Sequence, residues 1–256
     1  MSNNEAMRFT GRLAIVTGGA RGLGREIARG LAAEGASVIL ADINLREAEH
    51  TAAAIDAVSG SRVVPLLCNV ANTADIQAMR TFAEQEFGRI DILVNNAGLC
   101  SLKGIEALGE QDWDEMLDVN LKGVFFCSQA VTPLMKKQGT GSILNLSSIA
   151  GKVGGLVVGP HYAASKAGVI CLTQSFARAL APFGVRVNAV APGPVDTEMS
   201  RAWPEEVKEG FAGNIPLGGR FAEIREVCAA ALFLLSEAAG YITGEILDVN
   251  GGLLMD

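Results

Sequence analysis

The sequence predicts a doubly wound α/β domain, on three observations. Short runs of aliphatic and β-branched residues alternate with longer stretches of helical periodicity along the whole chain. Those short runs are apolar throughout rather than alternating, which is the pattern of strands in a parallel sheet covered by helices on both faces. A glycine cluster lies between the first strand and the first helix, at the end of the sheet where this fold class opens a crevice.

Taken in order, Leu13–Val16 is the first strand and Gly22 to Ala33 the helix after it. Ser37–Ala41 is the second strand, Leu45 to Val58 its helix, and Val63–Leu67 the third strand. Ile76, Met79, Ala83 and Phe87 recur at helical spacing before the fourth strand, Ile92–Val94. Trp113 to Met135 reads as one long helix, Ser142–Leu146 as the fifth strand, and Tyr162 to Leu180 as another helix. Val185–Val190 is the sixth strand, Val227 to Leu235 a helix, and Glu245–Val249 the last strand. Right-handed crossovers through these helices give a mostly parallel seven-stranded sheet. No linker, repeat or low-complexity segment interrupts the chain, so residues 1–256 are expected to form one domain.

Composition narrows the function. A chain of 256 residues, 49% hydrophobic, buries a full core and is not disordered. A net charge of −7 argues against nucleic acid, which needs a basic footprint. Met1 to Arg12 has no apolar core of a signal peptide, and no apolar run approaches the ~20 residues needed to cross a bilayer. The five cysteines (68, 100, 127, 171 and 228) are odd in number, widely spaced and without C-x-x-C. That is the usage of reduced thiols in a cytoplasmic protein, not of a disulfide framework or zinc site. With only His50 and His161 present, no metal is expected and a Ser-His-Asp triad is poorly supplied.

The first strand runs through Thr17-Gly18-Gly19-Ala20-Arg21-Gly22-Leu23-Gly24 into a helix. Glycines there permit a tight turn and let a pyrophosphate approach backbone N–H groups at a positive helix terminus. Asp42, at the end of the next strand, stands where an acid would bind the ribose hydroxyls of a dinucleotide. The plain alternative is a turn and a surface aspartate. A carboxylate accepts both ribose hydroxyls of NAD but repels the 2′-phosphate of NADP, by up to about 4 kcal/mol at about 4 Å and an effective dielectric near 20. Arg21 pulls the other way, and Ile43 offers no second cation. NAD is therefore expected over NADP.

Tyr162 and Lys166 lie four residues apart in a helix-forming stretch, on one face. An ammonium group near a phenol favours the phenolate and lowers its pKa, which makes the tyrosine a usable proton donor and acceptor. A capped core aromatic beside a solvated lysine is the plain alternative.

With Gly18-x-x-x-Gly22-x-Gly24 come Asn95-Asn96-Ala97-Gly98, Asn120 within Val119–Gly123, Asn145-Leu146-Ser147-Ser148, Tyr162-x-x-x-Lys166, Pro192-Gly193 and Asn250-Gly251-Gly252. In this order and spacing the chain resembles the short-chain dehydrogenase/reductase family, over nearly its whole length from about Phe9. The resemblance implies a Rossmann-type sheet and a hydride transfer between a nicotinamide and a carbinol carbon. It assigns Tyr162 the proton transfer and Ser148 the hydrogen bond to the substrate oxygen, with Ser147 as its nearest rival. Lys166 would hold the nicotinamide ribose and lower the phenol pKa, and Asn120 would support a water relay behind Lys166.

The resemblance also implies a cofactor site. Gly18, Arg21, Gly22, Leu23 and Gly24 would take the pyrophosphate, with Asp42 and Ile43 at the adenine ribose. Asn69 and Val70 would meet the adenine, Asn replacing the family's usual acid. Asn96, Ala97 and Gly98 would floor the ribose, and Pro192, Gly193, Val195 and Thr197 would face the carboxamide. The stretch between Ser148 and Tyr162 is about one residue longer than expected of the family, in a segment that would line the substrate pocket. A lid is expected over residues 197–215, with Leu99, Cys100, Leu156, Met199 and Trp203 on the substrate. Cys100 reads better as a small buried hydrophobe than as a reactive thiol. Lys103 and Lys152 read as solvated loop residues.

The function expected first is interconversion of a secondary alcohol and a ketone, the substrate a small alcohol, polyol or sugar. A 3-oxoacyl-acyl-carrier-protein reductase is the alternative; such reductases usually take NADPH, which Asp42 disfavours. An inactive NAD-binding sensor is a third reading. A homotetramer or dimer is expected, with Ala229–Leu235 and Leu253–Met255 as contact surface or, equally, as core.

Overall fold

The computed structural model describes residues 7–155 and 157–255. β1 (Leu13–Thr17), β2 (Ser37–Asp42), β3 (Val63–Leu67), β4 (Ile92–Asn95), β5 (Gly141–Leu146), β6 (Val185–Pro192) and β7 (Ile246–Val249) form one sheet in the order β3-β2-β1-β4-β5-β6-β7. Every pairing is parallel, so the expected "mostly parallel" sheet is parallel throughout. The chain winds outward from β1 to β3, then crosses back to β4 and winds the other way. The crevice at that reversal lies beyond the carboxyl ends of β1 and β4.

Alternate residues of each strand feed two cores. Ala14 and Val16 pack with Ile27 and Leu31 of α1 (Gly22–Ala33), with α2 (Leu45–Ser59) and with α10 (Ile224–Leu235). Leu13 and Ile15 face the other way, toward Ile76 and Met79 of α3 (Thr73–Phe87) and toward α5 (Gly123–Gln138) and α7 (Pro160–Leu180). Period-two side chains on fully covered strands need both faces apolar, which is why these strands read as unbroken hydrophobic runs.

Two elements differ from the sequence expectation. The long helix starts as α4 (Glu110–Leu117), widens into a π-helical turn at Asp118–Lys122, and continues as α5 through Gln138. The loop after Ser148 opens with a short helix, α6 (Ala150–Val153). The 197–215 segment carries α8 (Glu198–Arg201) and α9 (Glu205–Ala212). Of the apolar Ala229–Leu235 stretch, Ala231, Leu234 and Leu235 are core, while Phe233 and, in the tail, Met255 are exposed. α10 approaches α1 closely at Gly30, where a Cβ would lie 2.6 Å from Leu232 Cδ1. No helix among the described residues is long and apolar enough to cross a membrane.

Candidate active site

The glycine loop is built by close backbone approach. A Cβ on Gly24 would lie 2.2 Å from the Gly18 carbonyl oxygen and 2.4 Å from Asn96 Nδ2. Gly18 itself has φ +62°, and a Cβ there would be 2.8 Å from Ala97 Cα. The Asn96 side chain donates to the carbonyls of Thr17 at 3.0 Å and Gly18 at 2.8 Å. Thr17 Oγ1 accepts from the backbone N–H groups of Asn96 at 3.1 Å and Ala97 at 3.2 Å, and donates to Val94. Asn96 was expected at the floor of the ribose site; its amide braces the loop as well. Thr17, which sequence reasoning passed over, is the hub joining β1 to β4. Its position as the polar residue ending an apolar strand was the available signal.

The N-terminus of α1 has no side-chain cap, whereas α2 and α3 are capped by Asn44 and Asn72. A Cβ on Gly22 would meet no atom within 4 Å. Uncapped N–H groups beside open space, reached over a loop that admits no Cβ at Gly18 or Gly24, fit a dinucleotide pyrophosphate. Asp42 ends β2 at the same edge, its Oδ2 accepting from Ala20 N at 3.0 Å and its Oδ1 from Asn44 N at 2.9 Å. Ile43 beside it is 68% exposed. Arg21 Nη1 lies 3.8 Å from Glu198 Oε2 of α8, with both side chains exposed.

The remaining expected cofactor residues also gather at the carboxyl edge of the sheet. Asn69 spends its side-chain oxygen on Ala71 N at 3.0 Å, and its own N–H donates to Asp75 at 2.9 Å. Its amide therefore shapes the turn after β3. Val70 is buried against Gly123, where a Cβ would be 3.0 Å from Val70 Cγ2. Pro192 closes β6, and Gly193 N donates to Val249 O at 3.0 Å. Val195 is buried and bridges to Ala222. Thr197 caps α8, its Oγ1 accepting from Ser200 N at 3.4 Å.

Three elements meet at Tyr162. α7 carries Tyr162 and, one turn on, Lys166, whose Nζ lies 5.7 Å from the Tyr162 ring centroid and donates to Leu146 O at 2.7 Å. β5 ends in the two serines. Ser148, whose Oγ accepts from Ala150 N at 3.2 Å, stands near enough to the Tyr162 phenol to pull its pKa down, whereas Ser147 turns inward to donate to Lys166 O at 3.0 Å. The geometry thus separates the two serines. Asn120, fully buried in the π-helical turn, pairs both ends of its amide with Leu99, accepting from N at 2.7 Å and donating to O at 2.9 Å. It also donates to Ser165 Oγ at 3.2 Å, which in turn donates to Tyr162 O at 2.7 Å. Gly98 separates Asn120 from Lys166: a Cβ there would be 3.3 Å from Asn120 Oδ1 and 3.7 Å from Lys166 Nζ.

Burial dominates the protonation of the pair. It pushes the Tyr162 phenol above the ordinary tyrosine range, against the pull of the neighbouring Ser148 hydroxyl. Lys166 Nζ is turned to the Leu146 carbonyl and does not offset that rise in this structure. Burial likewise brings Lys166 down to about 8. Cys100, half-buried, is raised by burial with Lys166 pulling the other way. A raised thiol is protonated, which agrees with a small packing residue rather than a nucleophile.

On the substrate side, Leu99 and Cys100 lie on the strap held by Asn120. Trp203 packs within the 197–215 segment and just beyond it, 5.9 Å from the Phe211 ring and 6.2 Å from the Phe221 ring. Leu156 lies outside the described residues, as does the side chain of Met199. A cavity of about 530 Å³ runs between Val157, Val207 and Phe211 of α9 and Leu253 of the tail. The two lysines expected to be solvated are paired: Lys103 with Asp112 at 2.5 Å and Lys152 with Asp248 at 2.6 Å.

A glycine-loop crevice with an acid at the end of β2, beside a Ser-Tyr-Lys cluster, defines a dinucleotide-dependent oxidoreductase. The chain belongs to the short-chain dehydrogenase/reductase family and is an NAD(P)-dependent enzyme of it. A family model described as enoyl-(acyl carrier protein) reductase matches residues 18–254. The 3-oxoacyl-(acyl-carrier-protein) reductase FabG of Thermotoga maritima is 41% identical over 249 residues, covering 97% of this chain and all of that one. Its Escherichia coli K12 namesake is 40% identical over the same coverage. Among solved structures, levodione reductase superposes with a TM-score of 0.91 at 34% identity, covering 96% of this chain and 98% of that one. A putative short-chain alcohol dehydrogenase from Sinorhizobium meliloti 1021 gives 0.91 at 35% identity, covering 97% and 98%.

Proposed function

We propose that the enzyme is a ketoreductase that interconverts a ketone and a secondary alcohol, with a 3-oxoacyl thioester as its substrate class and NAD as its preferred dinucleotide. The observation that carries the chemistry is the Tyr162 phenol with Lys166 Nζ 5.7 Å from its ring and the Ser148 hydroxyl beside it. The dinucleotide, when bound, supplies hydride transfer to or from the carbonyl carbon. Ser148 Oγ holds the substrate oxygen, and the Tyr162 hydroxyl gives it a proton in reduction and takes one in oxidation. A phenol kept protonated by burial is ready to act as the acid of the reductive direction. Lys166 holds the ribose and offsets charge that develops on Tyr162. Glycines 18, 22 and 24 with Arg21 and Leu23 take the pyrophosphate. Asp42 takes the ribose hydroxyls, and its charge supports NAD over NADP.

Two lines bear on the substrate. Curated relatives at 40–42% identity named 3-oxoacyl-(acyl-carrier-protein) reductases favour the thioester over the small alcohol, polyol or sugar expected first from sequence. The resemblance to levodione reductase and to an alcohol dehydrogenase, together with Asp42, favours a small ketone as the second reading. Nicotinamide absorbance with 3-oxoacyl thioesters, cyclic ketones and polyols, each with both dinucleotides, tests this. Faster turnover of a thioester with NADH supports the proposal; turnover of small ketones alone overturns its substrate. Tyr162→Phe should lower kcat at least about a hundredfold, the lower end of what positioned acid/base catalysis contributes. A homotetramer or dimer, expected from the family, is read by light scattering.

A further inference from the structure

We infer that Asp248, acting through Lys152, is a positioning residue for Ser148; this rests on the reading of Ser148 as the group that holds the substrate oxygen. Ser148 leads directly into α6, with Gly151 N donating to its carbonyl at 2.9 Å and Ala150 N to its Oγ at 3.2 Å. A four-residue helix is far too short to be stable by itself, so its neighbours fix its place.

Two neighbours do so from different sides. On the first, Gly151 lies backbone against backbone on α7: a Cβ there would be 2.7 Å from Lys166 C and 2.8 Å from Ala167 N. On the second, Lys152 Nζ reaches Asp248 Oδ2 on β7 at 2.6 Å, the side chains 17% and 21% exposed. No other ion pair among the described residues has both side chains so enclosed. The backbone extends the tie: Ile149 N donates to Pro192 O at 3.0 Å, and β6 registers Ala191 against Asp248. Two residues 96 apart in sequence therefore set the height of the helix that begins at Ser148.

The pair is unequal. Asp248 Oδ1 is buried with no hydrogen-bond partner, so the carboxylate leans on Lys152. Deleting Lys152 leaves a buried carboxylate without its counter-charge, whereas neutralising Asp248 removes the need for one. A shift of α6 moves Ser148 but leaves the glycine loop, on the far side of β4, in place. The loss then falls on turnover and not on dinucleotide affinity.

The test measures kcat, and KM for substrate and for dinucleotide, in wild type, Lys152→Met, Asp248→Asn and the double variant, with the thioester or ketone found in the panel above and thermal melts alongside. Lys152→Met is expected to lower kcat roughly ten- to a hundredfold, the scale of a displacement below about 1 Å, with the dinucleotide KM within about twofold. Asp248→Asn should lose less, since its amide oxygen still accepts from Lys152, and adding it to Lys152→Met should cost no further kcat, because both changes break one tie. A double variant that loses the product of the two single losses, or a dinucleotide KM that rises as kcat falls, overturns the proposal. If Lys152→Met does not fold, Asp248→Asn decides by the same split between kcat and dinucleotide KM. Ser148→Ala at wild-type kcat would sink the reading of Ser148 itself. A crippled Ser148→Ala beside unaltered Lys152 and Asp248 variants would sink only the positioning role.

Discussion

The Asn96 side chain holds the Gly18 carbonyl at 2.8 Å from the far side of the strand reversal. One amide from the end of β4 thus fixes the shape of a loop that belongs to β1. Net hydrogen bonds contribute about 0.5–1.5 kcal/mol each, and Asn96 makes two to that loop, so Asn96→Ala should weaken dinucleotide binding about tenfold. Calorimetric titration of NAD into both proteins checks this; an unaltered affinity would contradict the bracing role.

Asp42 shapes its own turn, and the proposed function gives it the ribose as well. Its carboxylate accepts from Ala20 N and Asn44 N. Asp42→Ala should lower kcat/KM with NAD while relieving repulsion of a 2′-phosphate. The NADP/NAD ratio is expected to rise at least about tenfold, or about 1.4 kcal/mol. Steady-state kinetics with both dinucleotides decides, and an unmoved ratio would remove Asp42 from cofactor choice.

Lys166 links stability to alkaline pH. Its folded pKa, about 8, lies below its ordinary 10.5 because burial penalises the charge. The unfolded chain therefore binds this proton more tightly. The penalty is full below pH about 8 and is relieved as pH climbs toward 10.5. Relative to Lys166→Met, which carries no such charge, wild type should gain roughly 3 kcal/mol across that window at most. Urea unfolding of both proteins near pH 7 and near pH 10 measures it; a wild-type stability, relative to Lys166→Met, that stays constant or falls as pH rises would exclude a buried, depressed lysine.

What could be read from the sequence was local. The strand-glycine-helix succession, the acid ending β2, and the one-turn spacing of Tyr162 and Lys166 are each set by contiguous residues, so their periodicity showed them. The parallel, doubly wound sheet followed from unbroken apolar strands joined by helices, whereas the order of its strands is seen only in the structure. The π-helical turn escaped because Asp118–Lys122 has helix-compatible composition; it is recognised by the Asn120 amide pairing with Leu99, a contact between distant residues. α6 escaped because a four-residue helix has no periodicity to detect. Lys152 read as solvated because its partner, Asp248, comes almost a hundred residues later. Asn96 and Asn69 were placed at the site without their loop-bracing hydrogen bonds, since which way an amide turns depends on backbone groups that sequence does not place.

Of the two tryptophans in the chain, Trp113 is exposed on α4 and Trp203 sits in the 197–215 segment between the rings of Phe211 and Phe221. Emission from Trp203 reports the packing of that segment alone. Once Trp113 is replaced by Phe, the protein carries a single tryptophan, in the segment expected to cover the substrate, and excitation that spares the two tyrosines lets its motions be timed by stopped flow without a foreign label.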